Sequence, residues 1–175
     1  MLIGDSHELI IKLQQKEIDL AVVSEPVTLK NYNVLHFFDD EIVPIVNISH
    51  EWADEKIIMV DDLFKKPLIS REEGSGSRKI FEKFLRQNKL DPRLLNISFS
   101  LGSAEAVKAA VINGMGYGVI SKIAIQDELS RQILKIVNVN QMKMNRNFLI
   151  LFSPEKKENI RFKKFLDFIT SFNTF

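Results

Sequence analysis

The nine residues Ser70-Arg71-Glu72-Glu73-Gly74-Ser75-Gly76-Ser77-Arg78 lie between the apolar run Pro67-Leu68-Ile69 and the segment Lys79-Ile80-Phe81-Glu82-Lys83-Phe84-Leu85. Ile80, Phe81, Phe84 and Leu85 recur at helical spacing. The stretch therefore reads as a short strand, a glycine-serine turn and a helix from Ser77 to about Asn88. Such a turn presents free backbone N–H groups at the helix start, where the helix dipole favours negative charge. The hydroxyls of Ser75 and Ser77, on either side of Gly76, can cap the helix or bind a ligand. Two readings stand side by side here: a pocket for a small anion, and an ordinary serine N-cap with a glycine turn.

Working outward, short strands and helices alternate in both directions. On the N-terminal side, Asp5 and Glu8 have capping-box spacing and open an amphipathic helix with Leu9, Ile10 and Leu13 inward. The run Ile18 to Val23 is nearly all apolar and short, as expected of a strand buried on both faces, and it ends in the polar turn Ser24-Glu25-Pro26. Strands are expected at 33–38 and 41–47, separated by Asp39-Asp40, with a further apolar segment at 57–60. On the C-terminal side a strand is expected at 96–100. A helix follows with Ser103 as N-cap and Gly114 just past its end. Then come a strand near 119–121, a helix at 122–130, strands at 134–139 and 148–152, and a last helix from about Asn159 to Phe172. This alternation predicts an α/β fold with largely parallel sheets.

Composition removes several function classes. The 175 residues carry 24 basic and 23 acidic side chains, a net charge of +1, so there is no bulk attraction to nucleic acid or membrane. The chain contains no cysteine, which excludes disulfides, thiol catalysis and thiolate metal sites. No window resembles a membrane span or a signal peptide, which is compatible with a cytoplasmic location. The basic residues Lys156, Lys157, Arg161, Lys163 and Lys164 crowd the start of the last helix without interleaved aromatic platforms, so they read as a solvated face.

Motifs that suggest chemistry mostly dissolve on inspection. Gly114-Met115-Gly116-Tyr117-Gly118 follows a helix and opens a strand, the reverse of a dinucleotide fingerprint, and reads as helix termination and close packing. His7, His36 and His50 fall in different elements without metal-ligand spacing, so no metal or cofactor is expected. No serine sits in a nucleophile elbow, and no acidic pair has a neighbour that would raise its pKa, so no enzyme activity is expected. What remains is a set of polar loops at strand ends: Ser24-Glu25, Ser70 to Ser77, and Gly102-Ser103. All three combine hydroxyls with turns or helix starts and together favour an anion.

These pieces occur in a particular order: IDLAVVSEP, DDEIVPIVNISHEWA, PLISREEGSGSR, SLGSAEAVKAAVINGMGYGVIS and FLILFSPEKK, with a C-terminal FKKFLDFI helix. The ordered set resembles the effector-binding domain of LysR-type transcriptional regulators, with Ser77 where threonine is usual and His50-Glu51-Trp52-Ala53 in place of H-P-L-A. The resemblance implies two Rossmann-like lobes of type 2 periplasmic-binding-protein architecture joined by two crossover strands. Residues 1–46 with 148–175 would form the first lobe, incomplete at its N-terminus, and 47–147 the second. It implies a small, anionic effector in the inter-lobe cleft, lined by Ser24, Phe38, Ser75, Gly76, Ser77 and Ser103. Self-association as a homodimer is implied as well. DNA binding would belong to the full-length protein only, because the family's helix-turn-helix and first strand–helix unit have no counterpart here. A solute-binding protein of a transport system shares the fold and is the alternative reading.

Overall fold

The computed structural model describes Leu2, residues 6–24 and residues 29–171. In chain order the regular elements are α1 (Ser6–Gln14), β1 (Leu20–Ser24), β2 (Asn33–Asn47), β3 (Leu68–Arg71), α2 (Gly76–Gln87) and β4 (Ile97–Leu101). They continue with α3 (Ala104–Ile112), β5 (Tyr117–Ser121), α4 (Gln126–Ser130), β6 (Leu134–Ile136), β7 (Asn145–Phe152) and α5 (Ile160–Thr170), with short 3-10 turns between them. The chain forms two compact units, residues 1–40 with 146–175 and residues 41–145, and passes from one to the other within β2 and at the start of β7. The expected cap at Asp5, the turn at Glu25-Pro26 and the helix end at Phe172 lie outside the described residues.

In the first unit β1 runs antiparallel to β7, with Leu20 opposite Phe152 and Ser24 opposite Phe148. Helix α1 covers one face through Leu13, which packs with Ala21, Val23, Leu149 and Leu151. Phe162 of α5 meets Phe152 on the other face, the two rings 5.2 Å apart. Burial along β1 alternates rather than running continuously, so the apolar run is not a strand buried on both faces. Among the described strands β1 lies at the edge of the sheet, while Ile150 and Phe152 of its neighbour β7 are fully buried; α5 itself has no fully buried residue and leaves Ile160, Phe165 and Phe168 exposed.

The second unit is a mixed sheet in the order β6-β2-β5-β3-β4. Strand β3 is parallel to both β4 and β5, whereas β2 is antiparallel to β5 and to β6. The expectation of largely parallel sheets is corrected accordingly: the chain enters this unit along β2 and leaves along β7, and neither is a βα crossover strand. Helix α2 buries Phe81, Phe84 and Leu85 with Leu68, Trp52 and Tyr117 on one face. Val107 and Val111 of α3 pack with Ile69, Ile45 and Ile120 on the other. The helix–sheet–helix layering is what an α/β sheet with both faces apolar requires.

Several expected boundaries shift, each for a local reason. Strand β2 runs unbroken through Asp39 and Asp40, because the buried Asp40 carboxylate is paired with Arg146 of β7 rather than turning into solvent. Of the segment 57–60, only Ile58 pairs, in a single parallel bridge to Val139, and β6 stops at Ile136. The helix expected at 122–130 divides into a 3-10 turn, Ile123–Ile125, and α4. The Gly-Met-Gly-Tyr-Gly run ends α3 with Gly114 at φ 73° and feeds β5. A Cβ at Gly116 would lie 2.3 Å from the Pro67 carbonyl oxygen, so the run is a packing device.

Candidate functional site

Strands β3 and β4 are adjacent and parallel, and α2 and α3 begin just beyond their C-terminal ends. That is the position at which α/β sheets collect ligands, and it puts two helix N-termini at the same end of the second unit. Ser75 occupies the N-cap position of α2 with extended backbone (φ −63°, ψ 133°), and its carbonyl accepts from the Lys79 N–H at 3.0 Å. By helix geometry, the amides of Gly76, Ser77 and Arg78 precede that first intrahelical donor. The Ser75 side chain makes no capping hydrogen bond. Its Oγ lies 3.0 Å from Ser77 Oγ, and the two serines are only 7% and 5% exposed. Ser77 is therefore an inner first-turn residue and not the cap, a correction to the capping role its sequence position allowed.

Around this turn the Arg71 carbonyl accepts from three side chains: Ser70 Oγ at 3.0 Å, Arg78 Nη1 at 3.1 Å and Ser100 Oγ at 3.4 Å. Two arginine–carboxylate pairs flank it, Arg71 with Glu72 in bidentate geometry (2.7 and 2.8 Å) and Arg78 with Glu82 at 2.8 Å. The Arg71 guanidinium holds the Glu72 carboxyl below the usual range. Burial would raise Glu82, but hydrogen bonds from Arg78 and Arg86 outweigh it and leave that group lowered too. These carboxylates are ionised and committed to arginines, so they are poor proton acceptors. The arrangement orders a loop around a cluster of N–H and O–H donors, which suits binding of negative charge.

The other expected residues sit as follows. Ser103 is the N-cap of α3, its Oγ accepting from the Ala106 N–H at 3.1 Å. In the first unit, Ser24 ends β1; its N–H donates to Ser6 Oγ at 3.2 Å, and the two hydroxyl oxygens are 3.4 Å apart. Phe38 lies on β2, stacked on Phe148 at 4.5 Å and edge-on to Phe37 at 5.0 Å. The Arg146 guanidinium lies 4.5 Å from the Phe148 ring centroid and also donates from Nε to Asp40 at 3.2 Å. The structure thus groups Ser75, Gly76 and Ser77, and sets Ser103 at the neighbouring helix start. Ser24 and Phe38 are placed in the first unit.

Sequence reasoning missed Ser6 and Ser100, and named Ser70 only as the start of a polar loop. Ser6 opens α1 and could have been suspected from its place before an amphipathic helix. Ser70 donates to the carbonyl of its neighbour Arg71, whereas Ser100 reaches the same carbonyl from 29 residues away, which no local pattern reveals. A cavity of about 330 Å³ on the second unit, lined by Asn47, Ser49, His50, Glu51, Lys66 and Gly114, contains none of the expected residues. Its polar groups are largely satisfied internally: His50 Nδ1 accepts from the Trp52 N–H, Ser49 donates to Asn47, and Lys66 pairs with Glu51. It is a polar depression at the end of β2, and no residue of β3, β4, α2 or α3 lines it. Among the described residues no helix is long and apolar enough to cross a membrane.

Comparison with known proteins gives this geometry a family context. A sequence model described as the LysR substrate binding domain matches residues 1–173. The transcriptional activator CmpR of Synechocystis is 29% identical over 167 residues, covering 95% of this chain and 54% of that protein. A probable RuBisCO transcriptional regulator of Phaeodactylum tricornutum is 33% identical over 153 residues, covering 86% and 50%. The chain thus spans about half the length of the curated relatives it matches. Among solved structures, the Synechocystis CcmR regulatory domain in complex with 2-PG is similar at a TM-score of 0.82 and 27% identity, covering 98% of this chain and 81% of that one. The effector binding domain of QuiR in complex with shikimate, at 20% identity and a TM-score of 0.76 over 97% of this chain and 78% of that one, shares the fold. That fold is the type 2 periplasmic-binding-protein-like α/β architecture of LysR regulatory domains.

Proposed function

Because the chain belongs to the LysR substrate binding domain family, we propose that it is the effector-sensing part of a LysR-type transcription regulator and takes a small anionic metabolite. The observation that carries the anionic preference is the start of α2. Two buried, mutually bonded hydroxyls lie beside first-turn amides, at strand ends shared with the start of α3. Ser75, Gly76, Ser77 and Ser103 contribute donors from the second unit. The relative solved with 2-PG supports a compact anion as the ligand class.

On this reading binding and not turnover is the chain's task. The nearby carboxylates are held ionised by arginines, and the matched relatives are transcription regulators. Sequence reading of DNA belongs to the longer protein, which acts in the cytoplasm and works as an assembly of two copies. Calorimetric titration with 2-PG, then with other carboxylates and sugar phosphates, tests the site. Ser75→Ala combined with Ser77→Ala is expected to weaken anion affinity by roughly tenfold or more, as loss of donors to a charged group does. Unchanged affinity in a folded double variant would place the ligand elsewhere.

A further inference from the structure

We propose that Arg146 anchors a carboxylate-binding site contained in the first unit, for a carboxylate carried on a planar, apolar body. The site is separate from the start of α2 and does not depend on the preceding reading. Arg146 lies on β7, whose burial fades toward its start: residues 149–152 are buried, whereas Arg146 and Phe148 are only partly so. Among the described strands of this unit β7 is the middle one, between β1 and β2.

The guanidinium is held from one side only. Its Nε donates to Asp40 Oδ2 at 3.2 Å and its Nη2 donates to the same oxygen, so the side-on edge of the group is occupied. A guanidinium carries five N–H donors in a fixed fork. Among the described residues it makes no other hydrogen bond, which leaves both N–H groups of Nη1 and one of Nη2 along the end-on edge. That edge matches the two oxygens of a carboxylate. The Asp40 side chain is fully buried and fixes the fork before a ligand arrives, so little ordering entropy remains to be lost on binding.

The body of the ligand has a surface to lie on. The Phe148 ring centroid stands 4.5 Å from the guanidinium carbon, and Phe38 stacks on Phe148 at 4.5 Å with 28° between the ring planes. Ser24 is directly opposite Phe148 on β1 and adds a hydroxyl beside the rings. Opposed residues, and residues two apart along a strand, share a face of a sheet, so the hydroxyl, the rings and the fork lie together. A donor fork beside an aromatic floor selects a flat carboxylate over an anion without an apolar body.

Benzoate is the probe, titrated into the 175-residue chain by calorimetry. Binding is expected in the parent, and inorganic phosphate should not displace it. Arg146→Lys keeps the charge but loses the planar fork, and should weaken benzoate by roughly tenfold. Phe148→Leu should weaken it severalfold through the lost platform. Asp40→Asn removes the carboxylate that competes for the guanidinium. It should tighten benzoate by about threefold or more while lowering the melting temperature. An ion pair with a structural role alone predicts the opposite sign, because losing either partner would then weaken binding along with the fold. Affinity that falls in both Arg146→Lys and Asp40→Asn, or is unchanged in folded Arg146→Lys, would overturn the site. So would a parent that does not bind benzoate. The start of α2 is read separately, with 2-PG and the Ser75→Ala, Ser77→Ala double variant, which should bind benzoate as the parent does.

Discussion

Ser103 and Ser75 hold the same position at neighbouring helix starts, yet only Ser103 accepts from a helix N–H with its side-chain oxygen. Ser103→Ala should therefore cost about 1 kcal/mol in chemical denaturation, the usual loss for a side-chain cap. That cap was legible in sequence because it is local, spanning three residues. The Ser75–Ser77 bond was not, since the same serines permit a cap or a mutual hydrogen bond, and burial decides between them. Gly116 offers a sharper contrast. Its φ of 150° and the Pro67 carbonyl, 2.3 Å from where a Cβ would stand, predict that Gly116→Ala destabilises by more than about 1 kcal/mol. Thermal melts would detect that loss. Gly74, where a Cβ would meet nothing within 4 Å, should tolerate alanine in the same melts with far less effect.

At the scale of elements, helices were read more faithfully than strands. The apolar spacing of α2 and the two marked ends of α3 are properties of adjacent residues. The unbroken course of β2 depends on Arg146, 106 residues beyond Asp40, and the alternation in β1 goes with its place at the edge of the sheet among the described strands. Long-range partners of this kind leave no periodic trace. Helices α3 and α4 are tied together by Lys108, which is buried, pairs with Glu128 and Glu105 at 2.9 Å each, and donates to the Ala124 carbonyl. The Lys108 hydrogen bond holds Glu128 below its ordinary value of 4.5, against the opposing effect of burial. A depressed carboxylate pKa means that the unfolded chain binds more protons in the acid range. The stabilisation is thus complete above pH 4.5 and is lost as pH falls through the lower folded value. Glu105 is too exposed to add much. Lys108→Met should cost about 1–3 kcal/mol at neutral pH. The gap between parent and variant melting curves should narrow below about pH 4.5. A gap independent of pH would show that Lys108 acts through packing alone.

For the whole molecule, the alternation of short strands and helices carried the α/β class and the ordered series of motifs carried the family, which a single motif such as the glycine-serine turn did not. Parallel against antiparallel pairing was not legible, because the direction of β2 depends on chain passage between units and not on side-chain pattern. The candidate site was partly legible. Turn chemistry located Ser70 to Ser77 and Ser103, while Ser100 appears only once β3 and β4 lie side by side. The central claim is that this family member senses a small anion. Its most direct test is a set of thermal melts of the 175-residue chain with 2-PG, other carboxylates, sulfur metabolites and sugar phosphates. A ligand at one hundred times its dissociation constant stabilises the state it binds by about 2.7 kcal/mol, or roughly 5–10 °C for a chain of this size. The account predicts such a rise with at least one of these anions and its reduction in the Ser75→Ala, Ser77→Ala double variant. A well-folded chain whose melting temperature moves with none of them would contradict it.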